Sequence, residues 1–250
     1  MIPSIKIFAD FDGTITIKDV GDSMFERFGG SRCLEYINEY QSGLISAAEC
    51  FRRESVACGE VDRNALDAFL DAQPVDMTFN AFADFCKLHN AGLTIFSDGM
   101  DYYIRRILNR MGAGNVPFYS NTLNLVPLNG SSLFRFEPEF PYLSESCDRC
   151  ACCKRNIMLT HSEDDDILIC VGEGYSDRCA VKFADVVFAK DHLAEYCLQE
   201  KLPFYEYQSF ADITVKLDEM IKLHESKPSK TRLHKRRQAE LARREVFIAE

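Results

Sequence analysis

Four short apolar runs constrain the fold of this chain more than any other feature. IKIFAD (5–10), LTIFSDG (93–99), ILICVGEG (167–174) and VVFAK (186–190) are rich in β-branched and aromatic residues, and each ends in Asp, Gly or Lys. Runs this short, without polar alternation, predict strands buried on both faces, as in a parallel sheet. Between the second and third, YYIRRILNRMG (102–112) places apolar residues at helical spacing. SNTLNLVPLNGSSLFRFEP (120–138) reads as a hairpin turning at Leu128, Asn129 and Gly130. Strand and helix in alternation predict an α/β fold, a Rossmann-like doubly wound parallel sheet.

The stretch from about Thr16 to Gly92 is far longer than one crossover connection needs. DVGDSMFERFGG, CLEYINEYQSG, SAAECFRRESVACG and DRNALDAFLDAQ within it each show helical spacing, with Gly or Pro near several ends. They predict a small α-helical cap over 16–77, inserted after the first strand into a core domain made of 1–15 and 78–225. TFNAFADFCKLHNAG (78–92) is the expected core helix before the second strand, and SFADITVKLDEMIKL (209–223) the last core helix. Past Pro228 no apolar face is evident before EVFIAE, so 226–250 reads as a basic tail, loosely helical or disordered.

With 250 residues, 46% of them hydrophobic, the chain can build one sizeable core. No apolar run approaches the roughly 18 residues of a membrane span, and MIPSIKIFADFD lacks a signal-like start, which together predict a cytoplasmic protein without a membrane partner. A net charge of -10 argues against nucleic acid as a partner of the main body. Eleven cysteines in a chain with no export signal predict reduced core thiols. Cys147, Cys150, Cys152 and Cys153 in CDRCACCK stand apart as a group that could bind zinc or be redox-sensitive, with reduced structural thiols the favoured reading.

In open parallel sheets the ligand crevice lies at the carboxyl ends of the strands, and the unusual polar residues collect there. Asp10 and Asp12 end the first run, Ser97-Asp98-Gly99 the second, and Glu173 and Asp177 follow the third; Lys154 precedes the third by a short helix. Four acids, a hydroxyl and a lysine describe a divalent-metal phosphate site, in which oxygen ligands suit Mg²⁺ and the lysine offsets phosphate charge. Taken singly, each residue has a plainer reading. Asp12 before Gly13 makes a turn, Glu173 and Asp177 cap a helix, Ser97 to Gly99 form a strand-to-helix turn, and Lys154 is a solvated surface lysine.

DFDGT, a strand ending in Ser-Asp-Gly, a lone Lys and then GEGYSD resemble, in order and across most of the chain, the four motifs of the haloacid dehalogenase superfamily of phosphohydrolases. That resemblance implies a phosphoaspartyl mechanism. Asp10 would be the nucleophile and Asp12 the general acid and base. Ser97, Asp98, Gly99 and Lys154 would hold the phosphate, and Asp10, Asp12, Glu173 and Asp177 would form the Mg²⁺ site. Glu173 stands where the family usually has Asp. A helical insert between the first two motifs resembles the cap of the phosphoserine-phosphatase-like branch, which implies a small-molecule phosphate ester as substrate. Within that branch FSDGMDYYI, CDRCACCKRNI and FAKDHLAEYC are most similar to methionine-salvage phosphatases of 2-hydroxy-3-keto-5-methylthiopentenyl-1-phosphate. Phosphoserine, pyridoxal phosphate and phosphoethanolamine are the alternative substrates, and a non-catalytic binding protein of the same fold is the alternative function. Asp19, Arg52 and Arg53 are candidate specificity residues, with helix capping the plainer reading of Asp19.

Overall fold

The computed structural model describes residues 4–128, 132–145, 147 and 149–226. The chain opens with β1 (Ile5–Ala9), α1 (Val20–Gly29), α2 (Arg32–Gln41), α3 (Ala47–Cys58), β2 (Val61–Asp62), α4 (Arg63–Asp71) and α5 (Phe79–Leu88). It continues through β3 (Gly92–Met100), α6 (Asp101–Met111), β4 (Phe118–Pro127), β5 (Leu133–Glu139), α7 (Lys154–Thr160) and β6 (Ile167–Gly172). It then forms β7 (Val186–Ala189), α8 (Asp191–Gln199), β8 (Tyr205–Glu206) and α9 (Phe210–Ser226). All four apolar runs are strands, and every stretch with helical spacing contains a helix. The chain divides into two compact units, one holding residues through Asp10, Asp76–Ile95 and the chain from Lys154 onward, the other Phe11–Val75 and Phe96–Cys153.

The first unit is a parallel sheet. β1 pairs with β3 on one side, Ile7 opposite Leu93, and with β6 on the other, Ile7 opposite Ile169. β6 pairs with β7 and β7 with β8, again in parallel. Burial on both faces accounts for the unbroken apolar runs: Ile7, Phe8 and Ala9 of β1 and all four residues of β7 are buried. The chain goes from β1 to β3 on one side and comes back to β6 on the other, so the winding reverses beside β1. The carboxyl ends of β1 and β6 therefore flank a topological switch point, where open α/β sheets place their ligands.

Helices α5 and α9 pack in this unit through Phe210, whose ring centroid lies 4.9 Å from that of Phe79 and 5.0 Å from that of Phe82. Their amino ends are tied together by two polar side chains. Asp76 Oδ1 accepts from the Thr78 amide at 2.8 Å and from Thr78 Oγ1 at 2.6 Å, while Asp76 Oδ2 accepts from the Phe210 amide at 2.8 Å. Thr78 Oγ1 in turn accepts from the Ala211 amide at 3.1 Å. Amides of the first helical turn lack partners within the helix, so these two side chains satisfy donors that would otherwise be orphaned.

In the second unit α1, α2 and α3 pack on one another and α3 packs on β5. Phe25 of α1 meets Phe51 at 6.0 Å and, edge to face, Phe136 of β5 at 6.1 Å. β4 and β5 are antiparallel, Leu125 opposite Phe136, as the hairpin reading expects; the turn residues Asn129 and Gly130 lie outside the described residues. The insert over 16–77 is not wholly helical: Val61 and Asp62 form β2 and pair with β5, so its helices join the hairpin in one unit. A two-residue strand has no periodicity to read. The tail expected at 226–250 lies, beyond Ser226, outside the described residues. Among the described residues no helix is long and apolar enough to cross a membrane.

Replacing Asp76 with alanine leaves the Phe210 and Thr78 amides without their acceptor. The expected loss is about 2 kcal/mol of stability, read as a lower urea midpoint. An unchanged midpoint would show that the two caps are dispensable.

Candidate active site

β1 delivers Asp10 to the switch point, its amide continuing the ladder to the Val171 carbonyl at 2.9 Å. α7 begins at Lys154, which is 1% exposed and reaches both Asp10 Oδ1 and Asp177 Oδ1 at 2.7 Å. Burial alone would pull the ammonium down, but the carboxylates of Asp10 and Asp177 more than reverse it, and Lys154 stays charged with a pKa well above its ordinary value. Asp177 is fully buried in the turn after β6, and its Oδ2 accepts from the amides of Glu173 at 3.1 Å and Gly174 at 3.2 Å. It thus serves as a cap of that turn and as a lysine partner at once. A Cβ at Gly172 would overlap Asp177 Oδ2, so the carboxylate can lie against the end of β6 only because residue 172 has no side chain. Glu173, partly buried beside Asp177, has its carboxyl pushed up to about 7, by burial first and by the Asp177 charge second, with Lys154 opposing. The surface reading of Lys154 is therefore excluded.

The fit of this cluster to Mg²⁺ rests on its donor chemistry. Asp10, Glu173 and Asp177 offer only oxygen, and three acids against one ammonium favour a further cation. Among the described residues no three His, Cys, Asp or Glu side chains already surround a common point. Mg²⁺ does not need such a cage: it commonly takes one or two carboxylates and keeps waters or phosphate oxygens for its other positions.

The second unit gathers a different cluster around Asp12, which is buried. Asp12 Oδ1 accepts from the Val20 amide at the start of α1 at 3.0 Å. Its Oδ2 accepts from Ser97 Oγ at 3.2 Å and from Tyr103 Oη at 2.7 Å. Burial, and after it the charge of Asp19, raise its carboxyl to about 7, against the bonds from Tyr103, Val20 and Ser97, which favour the anion. Gly13 adopts a φ of 67°, so the Asp-Gly turn expected from sequence exists and Asp12 enters it while its carboxyl remains inside. Ser97 Oγ also accepts from the Gly99 amide at 2.9 Å. Asp98 points its carboxylate elsewhere, accepting from the Cys152 amide at 2.7 Å, while its carbonyl accepts from Asn121 at 2.6 Å. Tyr103 escaped the sequence reading. The one available signal was a phenol on the buried face of an amphipathic helix, where a hydroxyl must find a partner.

No family model matches the chain. Over 218 residues it is 28% identical to Pdp3-interacting factor 1 of Schizosaccharomyces pombe, covering 84% of this chain and 93% of that protein. Over 225 residues it is 27% identical to 2-hydroxy-3-keto-5-methylthiopentenyl-1-phosphate phosphatase of Bacillus cereus, covering 86% and 96%. Among solved structures it matches a phospho-aspartyl intermediate analogue of phosphoserine phosphatase with a TM-score of 0.63 and 15% identity, over 86% of this chain and 99% of that one. The fold is that of the solved phosphoserine phosphatases.

The remaining candidates sit in the second unit. Asp19 caps α1, accepting from the Asp22 amide at 2.8 Å, as its plainer reading expects. Arg53 bonds Glu49 at 2.8 Å and Glu39 at 2.9 Å; Arg52 lies 4.0 Å from Glu49 and over the Phe140 ring at 5.0 Å. Cys147, Cys150, Cys152 and Cys153 are not joined in disulfides, all but Cys147 are buried, and they form no metal-binding group among the described residues. A hydrogen bond with Cys153, together with burial, pushes the Cys150 thiol far up, so it stays protonated.

Glu54 of α3 was not singled out by sequence. It is 2% exposed, and burial, followed by the charges of Asp22 and Asp19, raises its carboxyl from 4.5 to about 9. The folded state therefore holds this proton more tightly than the unfolded chain. Its contribution is full below the unfolded value and is lost as pH rises, by about 1.4 kcal/mol per pH unit, through the range between about pH 5 and pH 9. Glu54→Gln should flatten that part of the pH–stability curve and raise the urea midpoint on the alkaline side. Parallel curves for variant and parent would refute it.

Proposed function

We propose that the chain is a Mg²⁺-dependent phosphatase that hydrolyses a small-molecule phosphate monoester through an aspartyl phosphate. The observation that carries this reading is the buried lysine shared by Asp10 and Asp177 at the switch point. It supplies fixed positive charge beside a carboxylate that can attack phosphorus. Asp10, Glu173 and Asp177 would offer carboxylate oxygens to Mg²⁺ and Asp12 its main-chain carbonyl, since its carboxyl is engaged by Val20, Ser97 and Tyr103; the ion when bound offsets the repulsion between a carboxylate and an anionic ester.

Asp10 attacks the phosphorus and the bond to the ester oxygen breaks. Asp12, one residue further along the chain, gives that oxygen its proton, so the alcohol leaves neutral. The Asp12 carboxylate then takes a proton from water. The water oxygen attacks the phosphorus, the bond to Asp10 breaks, and inorganic phosphate leaves with both aspartates restored. The main chain near Gly99 holds phosphate oxygens while Ser97 Oγ stays on Asp12, and Lys154 meets the charge that develops on them. A carboxyl that can exist in both protonation states suits the alternating role of Asp12, and its burial beside Asp19 supports that assignment.

p-Nitrophenyl phosphate is the first test. Turnover should require Mg²⁺ and be abolished by Asp10→Asn. Absence of turnover would return the chain to a binding or regulatory role, the reading that the name of the S. pombe relative supports, and turnover that survives the change would remove Asp10 as the nucleophile.

As substrate we propose 2-hydroxy-3-keto-5-methylthiopentenyl-1-phosphate, on the strength of the motif resemblance and of the Bacillus relative named for it. In this reading the chain works in the cytoplasm on a metabolite, and Asp19, Arg52 and Arg53 contribute to selectivity. A panel of this ester with phosphoserine, pyridoxal phosphate and phosphoethanolamine should show at least a hundredfold preference in kcat/KM for the first, about 2.7 kcal/mol of transition-state discrimination. A flat profile would remove the assignment, and a peak at another ester would replace it.

A further inference from the structure

The mechanism above makes no use of Tyr103, yet the second unit is arranged to place its hydroxyl on Asp12. The side chain is 0% exposed, and Oη donates to Asp12 Oδ2 at 2.7 Å, the shortest of the three bonds that the carboxyl accepts. Its ring packs against Phe11, the residue between the two aspartates, with centroids 6.1 Å apart. The first turn of α6, which carries it, is pinned by Asp101 Oδ1, accepting from the Leu123 amide of β4 at 2.9 Å.

Two glycines leave the room this hydroxyl occupies. A Cβ at Gly99 would overlap both Tyr103 Oη and Asp12 Oδ2, and one at Gly21 would come within 3.1 Å of Oη. A buried phenol satisfied by a backbone carbonyl would be ordinary packing. One satisfied by a carboxylate, in a space that two glycines keep open, has a more specific consequence. Tyr103 and Ser97 take both lone pairs of Oδ2, while the Val20 amide takes one lone pair of Oδ1. The position left for the proton that Asp12 gives and recovers is on Oδ1.

We propose that Tyr103 is the positioning residue of the general acid, holding Asp12 by Oδ2 so that Oδ1 carries the transferable proton, and that turnover of esters with weakly acidic leaving alcohols depends on it. This inference rests on the phosphatase reading. Tyr103 touches neither ester nor phosphate and acts through Asp12, so its loss should matter in proportion to the need for protonation of the leaving group.

Tyr103→Phe deletes one oxygen and keeps the ring against Phe11. Two aryl esters provide the measurement: p-nitrophenyl phosphate, whose phenol leaves readily as the anion, and phenyl phosphate, whose phenol does not. kcat/KM reports the first phosphoryl transfer for each. The variant should lose about tenfold on phenyl phosphate, within the range that general acids contribute, and stay within about twofold of the parent on p-nitrophenyl phosphate. In an Asp12→Asn background the same change should have no differential effect, because the group it positions is gone. Equal losses on the two esters would mean a structural role and overturn the proposal, as would no loss on either. An unfolded variant, seen as a lost urea transition, would likewise assign Tyr103 to the core. A parent chain inert to both esters would overturn the phosphatase reading itself, an outcome distinct from the others.

Discussion

The ammonium of Lys154, buried between Asp10 and Asp177, is the interaction on which the rest of the first unit depends. An isolated charge in that position would cost several kcal/mol, and either carboxylate without the lysine would be in the same position. Together they are tolerable only if each is held where the others need it. β1 and β6 do this by running side by side to the Asp10 and Val171 pairing, and the turn after β6 does it by giving Asp177 two amides of its own. The α/β topology then explains why the costly triad sits where it does. The reversal of winding beside β1 is where open α/β sheets place their ligands.

Asp12 follows the opposite logic. Where Asp10 faces a cation at 2.7 Å, Asp12 is buried near another acid, and three neutral donors only partly counter that burial. Two aspartates separated by one residue therefore have environments that favour different protonation states, the pattern expected of a nucleophile and an acid that must work together at one pH. The Asp-Gly turn contributes by letting the chain leave the strand between them, so the two carboxyls need not share one environment.

The sequence was most readable where burial is complete. β1, β3, β6 and β7 lack polar alternation because both faces are covered, and the polar residues at their ends stood out against apolar runs. The amphipathic helices were equally plain. β2 and β8, two residues each, carry no periodic signal and exist only because a neighbouring strand offers its edge. Asp98 could be seen as a strand-end acid, but its bond to the Cys152 amide joins residues 54 apart and leaves no trace in composition or spacing. Tyr103 meets Asp12 across 91 residues, and Glu54 owes its raised carboxyl first to burial and then to the charges of Asp22 and Asp19. Such pairings are made by packing, which a single sequence does not encode locally.

The two clusters share a device that a search for chemical residues would pass over. Gly172 lets Asp177 lie against the end of β6, and Gly99 lets Tyr103 reach Asp12; in each case a single methyl group would fall on the atom that matters. Neither glycine has the positive φ that usually explains a glycine at a turn. Their role is space alone. Each polar contact made through that space is worth more for being buried, since Lys154 and Tyr103 are almost wholly removed from bulk solvent. The aspartates that first draw attention in this chain are therefore only half of each cluster, and the other half is the absence of a side chain opposite.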